Sequence, residues 1–325
     1  MHTALLLTST TLVVLGGYLA LFGLRRVGGW HRRRAMHLAI LAAPLLILAL
    51  GIGGLYHFAG RACLLGAPRW DITLMIALPL AMGVVALGAL GLGVVRLVLL
   101  DRVVRRSGFA PPPEMVALLE RLLPGQRPPG LLLCVLDRPL ALVCGFGRPT
   151  VLVSTWLVEH LDHHEFQAML AHELAHVVRR DYAAVWLATL LRDAFWYLPT
   201  SWAAYRHLQH EKELACDDLA VGATARPLAL ASALAKVWHG TASGAPHLAG
   251  AQYLAGDDSP LEERIARLLT RPVPTAAMNG RQSRAIGLVV SGTALASLLV
   301  FEAANIAVML AALGCGPAAT VGRWL

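Results

Sequence analysis

Two histidines four residues apart bracket a glutamate in the run His172-Glu173-Leu174-Ala175-His176. On a helix, positions i and i+4 share a face, so both imidazoles reach one metal ion. Glu173 stands beside them, able to take a proton from a metal-activated water, which is the HExxH arrangement of metal-assisted peptide hydrolysis. A catalytic site of this kind takes three protein ligands plus water. Downstream, His210, Glu213 and Asp217 fall at i, i+3 and i+7, one stripe of a helix. Glu213 reads as the third ligand. Asp217 reads as the acceptor that fixes the tautomer of a ligand imidazole. His210 or Arg206 would face the carbonyl oxygen of the substrate. The expected cofactor is Zn2+, with Glu173 as the general base that later protonates the leaving amine. Val151–Ser154 is expected to offer a sheet edge to an extended peptide.

These residues need elements to carry them. His164–Tyr182 reads as a helix with Asp162 as N-cap. Ala183–Leu198 (ended by Pro199), Ser201–Val221 (ended by Gly222) and Leu228–His239 read as three more. Glu114–Leu123 reads as a short amphipathic helix. Leu131–Leu136, Ala141–Val143 and Val151–Ser154 read as a small sheet or hairpins. Ser259-Pro260-Leu261-Glu262 is a helix start with Ser as N-cap and Glu at the capping-box position. Cys134, Cys144 and Cys216 are expected as packed thiols, and Cys63 and Cys315 as a candidate pair on the outer side.

The rest of the chain explains the composition. Of 325 residues, 57% are hydrophobic and only 15% charged, against roughly 45–50% and about 25% in soluble domains. Disorder is excluded by the apolar content. Four stretches are long enough to cross a bilayer: 4–24, 36–60, 72–100 and 285–313. Arg25, Arg26, Arg32, Arg33 and Arg34 follow the first, Arg102, Arg105 and Arg106 follow the third, and Arg281 and Arg284 precede the fourth. The opposite loops hold only Arg61, Arg69 and Arg323, so the positive-inside bias puts both termini outside. The net charge of +8 is then a topology signal and a contact with anionic headgroups of the lipid bilayer, with no direct nucleic-acid role. The expected fold is a mainly α membrane protein. Residues 1–100 hold three transmembrane helices. Residues 101–284 form a cytosolic α+β metallopeptidase domain inserted before the fourth helix at 285–313. A short external tail, 314–325, ends it. Glu302 and Asn305 lie within or at the edge of the fourth span, and an intramembrane ionisable residue is a functional candidate.

With these motifs the chain resembles the BlaR/MecR-type membrane zinc metallopeptidases, the transducers that sense β-lactam antibiotics. The resemblance rests on His172-Glu173-Leu174-Ala175-His176, then Arg179 and Asp181, then Glu213-Leu214-Ala215-Cys216-Asp217 as an ExxCD stretch. The segment around Arg264-Ile265 is similar to the one preceding that family's last helix. The resemblance implies a gluzincin-type site in a multi-pass protein of the bacterial inner membrane. It implies Arg179 and Asp181 in support of the metal ligands. It also implies a cytosolic repressor of winged-helix type, or the enzyme's own loop, as substrate. Gly314–Leu325 leaves no room for a penicillin-binding sensor, so a separate sensor protein, a homodimer or a signal through the spans is expected instead. Two alternatives stand beside this reading. One is a CAAX-prenyl-protease or HtpX-like processing peptidase. The other is a non-catalytic transducer with a structural zinc.

Overall fold

The structure, a computed structural model, describes residues 2–24, 29–30, 32–44, 69–145, 149–242 and 261–270. Most of the second expected span, the whole of the fourth with Glu302, the helix start at Ser259 and both Cys63 and Cys315 lie outside the described residues. The chain divides into two compact units: Met1–Ala89 with Leu191–Ala204 and Ser283–Leu325, and Leu90–Leu190 with Tyr205–Gln282.

In the first unit, α1 (His2–Leu24) is apolar along its length. Residues 32–44 are helical. α2 (Arg69–Ser107) begins in this unit and continues into the second. Its stretch Gly83–Ser107 has a mean hydropathy of 2.3 and is, among the described residues, the one segment long and apolar enough to cross a membrane. Its side chains are largely uncovered, Leu87 and Val84 among them. Water tolerates such a stripe poorly and lipid does not. The last turn carries Arg105 and Arg106, cations where the helix dipole favours them.

The second unit holds the chemistry. α3 (Pro113–Leu122) opens on a proline at its first turn. β1 (Gly130–Cys134), β2 (Ala141–Cys144) and β3 (Thr150–Ser154) form a mixed sheet in the order β1-β3-β2. β1 runs parallel to β3 with Leu132 opposite Leu152, and β2 runs antiparallel with Leu142 opposite Leu152. All five residues of β3 are buried, as a central strand of β-branched and aliphatic residues requires. The expectation that Val151–Ser154 is a free edge is therefore wrong. The outer edge of β1 is bridged by Phe109, whose N–H donates to Leu133 O at 2.8 Å. The outer edge of β2 carries no strand among the described residues. Cys134, Cys144 and Cys216 are free and buried.

α4 (Thr155–His160) leads into α5 (His163–Arg179), α6 (Asp181–Ala194), α7 (Pro199–Thr224), α8 (Pro227–Ala242) and α9 (Leu261–Thr270). α6 stops four residues short of the expected Leu198, because Leu198 precedes Pro199 and a residue before proline leaves the helical region. α5 starts on a full capping box. Asp162 accepts from the His164 and Glu165 N–H groups, and the Glu165 carboxylate accepts from the Asp162 N–H at 2.8 Å. Its inward face, Ala168, Leu170, Ala171 and Leu174, packs with Val151, Val153, Leu157 and, from α8, Leu230 and Ala233. α9 adds Leu261, Ile265 and Leu268 to the same core.

Candidate metal centre

α5 presents His172 and His176 one turn apart, with ring centroids 4.9 Å apart and planes nearly perpendicular. α7 brings Glu213 to them. Glu213 Oε2 lies 3.2 Å from His172 Nε2, and Oε1 lies 3.9 Å from His176 Nε2. One donor atom from each of the three residues falls within 4.8 Å of the others. These are the two imidazoles and the carboxylate that the spacing singled out, and their inner nitrogens converge on one carboxylate.

The outer nitrogens have their own carboxylates. His172 Nδ1 faces Asp217 Oδ1 at 2.9 Å. His176 Nδ1 faces Asp181 Oδ2 at 3.3 Å. Each carboxylate holds an arginine: Arg264 Nε and NH2 donate to the two oxygens of Asp217 at 2.8 Å each, and Arg179 Nε donates to Asp181 Oδ2 at 2.8 Å. Asp–His pairing of this kind leaves Nε2 as the ligating atom and raises its basicity. Cys216 packs behind His176, its Sγ 3.1 Å from Nδ1 and 3.4 Å from Asp181 Oδ2. Burial pushes its thiol well above the usual value, which suits an inert packed cysteine.

Charge in this interior is balanced by position. Burial opposes protonation of His172, but Asp217 and Glu213 outweigh it and raise its pKa to about 9. Burial alone would raise Asp217 and Glu213. The Arg264 guanidinium instead holds Asp217 at about 2, and Lys212 with Arg264 holds Glu213 well below the carboxylate range. Lys212 is itself buried, with Nζ 2.8 Å from Glu213 Oε1. Glu173 differs from these carboxylates. It is buried, yet makes no ion pair among the described residues. It lines a shallow apolar recess with Ala141, Val153, Leu157, Phe166 and Met169.

The donor set fits zinc: two neutral-capable imidazoles with backed Nδ1 atoms and one carboxylate, all within reach of a single ion. His210 is half-buried and its Nε2 lies 3.4 Å from Glu263 Oε1, while Arg206 is exposed on α7. Arg264 and Lys212 belong to the centre and escaped sequence reasoning. Lys212 sits next to Glu213 in the chain, where helical geometry gives no reason to pair them. Arg264 is 47 residues beyond Asp217. The available signal was the match of Arg264 and Arg267, three apart, to the acidic pair Asp217 and Asp218 on α7.

A His–His–Glu cluster shared by two helices, one of them packed against a small mixed sheet, is a donor set of the kind metallopeptidases carry. Residues 66–268 match the family described as BlaR1 peptidase M56, and the chain belongs to that family. It is also similar to Protease HtpX homolog 1 of Streptomyces coelicolor, at 30% identity over 173 residues, covering 42% of this chain and 56% of the relative. The chain thus spans about half the length of the curated relative it matches.

Proposed function

We propose that the protein is a membrane-embedded, zinc-dependent endopeptidase of HExxH type that acts in regulatory signalling by cleaving a cytosolic repressor, itself, or both. The observation that carries this reading is the convergence of His172 Nε2, His176 Nε2 and the Glu213 carboxylate within 4.8 Å, with Glu173 adjacent in the chain to His172. A bound zinc ion would supply Lewis acidity to the attacking water and to the scissile carbonyl. Glu173 takes the proton from that water and delivers it to the leaving amine. Asp217 and Asp181 keep the two imidazoles turned with Nε2 inward. His210, half-buried and on the stripe of Glu213, is assigned the oxyanion in preference to the exposed Arg206. An extended peptide adds to the outer edge of β2, the strand whose Ala141 lines the same apolar recess as Glu173.

The four-span topology, with both termini outside and the peptidase domain in the cytosol, completes the proposal. The arginine placement and the uncovered Gly83–Ser107 helix support it. The likeness to an HtpX homologue favours one second reading, a peptidase of protein processing or quality control. The test uses the full chain in detergent or nanodiscs, with zinc measured by mass spectrometry and cleavage followed on a winged-helix repressor and on a misfolded membrane protein. Glu173→Gln is expected to keep stoichiometric zinc and lose about 10²–10⁴-fold in cleavage rate. Full activity in that variant would end the mechanism. Cleavage of the misfolded protein alone would favour the second reading, and zinc without any cleavage would favour a non-catalytic transducer.

A further inference from the structure

One guanidinium reaches both carboxylates that flank His172. Arg264, buried at 4% exposure, forks onto Asp217 with two bonds of 2.8 Å, and its NH1 lies 3.4 Å from Glu213 Oε2. Those same atoms meet the imidazole: Asp217 Oδ1 faces His172 Nδ1, and Glu213 Oε2 faces Nε2. Arg264 therefore touches the third ligand directly and the first ligand through Asp217. A planar fork fixes a carboxylate in orientation as well as in charge, which a lysine does not.

The arginine arrives on a separate element. α9 follows α8 after a long intervening stretch, 243–260, and docks through Leu261, Ile265 and Leu268 in the core. One turn beyond Arg264, Arg267 binds Asp218 and donates to Leu214 O at 3.0 Å. Arg267 thus anchors α9 to the same helix, α7, without touching a proposed ligand.

The geometry points to Arg264 as a positioning residue: it sets Glu213 and Asp217 in place, so that the metal site on α5 and α7 is completed by the docking of α9. This rests on the zinc reading above. Removing Arg264 also removes a cation near the ion, which by itself would strengthen zinc binding. That gain is small, because the fork leaves the guanidinium charge matched by Asp217. Loss of orientation wins.

The experiment compares zinc affinity, by competition with a chromophoric chelator, in full-length wild type, Arg264→Gln, Arg264→Lys and Arg267→Gln. Arg264→Gln is expected to bind zinc about 10–100-fold more weakly, the range for losing an outer-shell partner. Arg264→Lys restores the charge without the fork and is expected to recover only part. Arg267→Gln is expected to stay within about threefold of wild type, since it leaves both carboxylates held. Saturating zinc is expected to restore cleavage in Arg264→Gln, which it would not do for a misfolded site. Equal zinc affinity in Arg264→Gln and wild type overturns the inference, and so does an equal loss in Arg267→Gln. If Arg264→Gln does not fold, Arg264→Lys against Arg267→Gln decides on the same terms. A wild type that takes up no zinc overturns the metal reading beneath it instead.

Discussion

The two candidate ligand histidines are backed in the same way by different parts of the chain. His176 leans on Asp181 and Arg179, five and three residues away, through a turn that ends α5 and starts α6. His172 leans on Asp217 of α7 and, behind it, Arg264 of α9. Both are Asp–Arg dyads closing an imidazole from behind. One is built by local geometry and would exist wherever that turn forms. The other exists only when three helices dock. The local dyad makes half of the site robust, and the long-range dyad makes the other half conditional on tertiary closure.

That contrast breaks most visibly if the acidic member of each dyad is removed. Asp217→Ala removes both bonds of the Arg264 fork and leaves the buried guanidinium only its longer contact with Glu213 among the contacts described above, and breaking a buried charge pair costs about 3–5 kcal/mol. Asp181→Ala removes one partner of Arg179, which sits in the last turn of α5, where the helix dipole welcomes a cation and its side chain is nearer solvent. About 1–3 kcal/mol is expected there, the loss of a charged hydrogen bond. Thermal unfolding of the solubilised protein with zinc chelated measures both. Equal losses would mean that the two dyads are not different in kind.

The same contrast decides what could be read from the sequence. His172, Glu173 and His176 stood out because the helix repeat alone puts them together. Asp181 and Arg179 followed from short spacing within a resemblance, and Glu213 and Asp217 from a stripe on one helix. The Asp162 cap and the three strands were also legible, because capping and β-branched runs are local signals. What was not legible is what depends on pairing at a distance. Alternation and apolarity mark β3 as a strand without saying which neighbours flank it, so its central place between β1 and β2 comes only from the fold. Arg264 was invisible as a site residue, because 47 residues separate it from Asp217 and only the docked fold joins them.

Glu165 sharpens the comparison, since it is anchored both ways at once. Its carboxylate accepts the Asp162 N–H within the local capping box, and across the fold it accepts from Ser232 Oγ and Lys236 Nζ at 2.6 Å each. Burial pushes its pKa up, but Lys236 and these donors prevail and hold it below the usual carboxylate value of 4.5. A depressed folded pKa means the stabilisation is present above 4.5 and is lost as pH falls through that value and below. Glu165→Gln is expected to cost about 1–3 kcal/mol at neutral pH. The difference from wild type should shrink as melts are taken at progressively lower pH. A gap that stays constant would show that the charge on Glu165 contributes nothing and that the local cap alone starts α5.

The smallest effect is expected at the turn that builds the local dyad. Arg180 ends α5 with φ of 53° and ψ of 41°, the left-handed conformation in which helices often close on glycine. Its N–H bonds back to the His176 and Val177 carbonyls, and the reversal carries Asp181 to His176 Nδ1. Glycine adopts that conformation freely but has more freedom to lose on folding, so Arg180→Gly should lie within about 1 kcal/mol of wild type. A β-branched side chain is strained there, so Arg180→Val should lose about 1–2 kcal/mol. If the local dyad is as independent as its geometry implies, Arg180→Val weakens zinc retention through His176 while the Arg264–Asp217 pair stays intact. Hydrogen exchange should then rise at the α5–α6 turn and remain unchanged in α9. Exchange rising in both places would show that the near and far halves of the site fold as one.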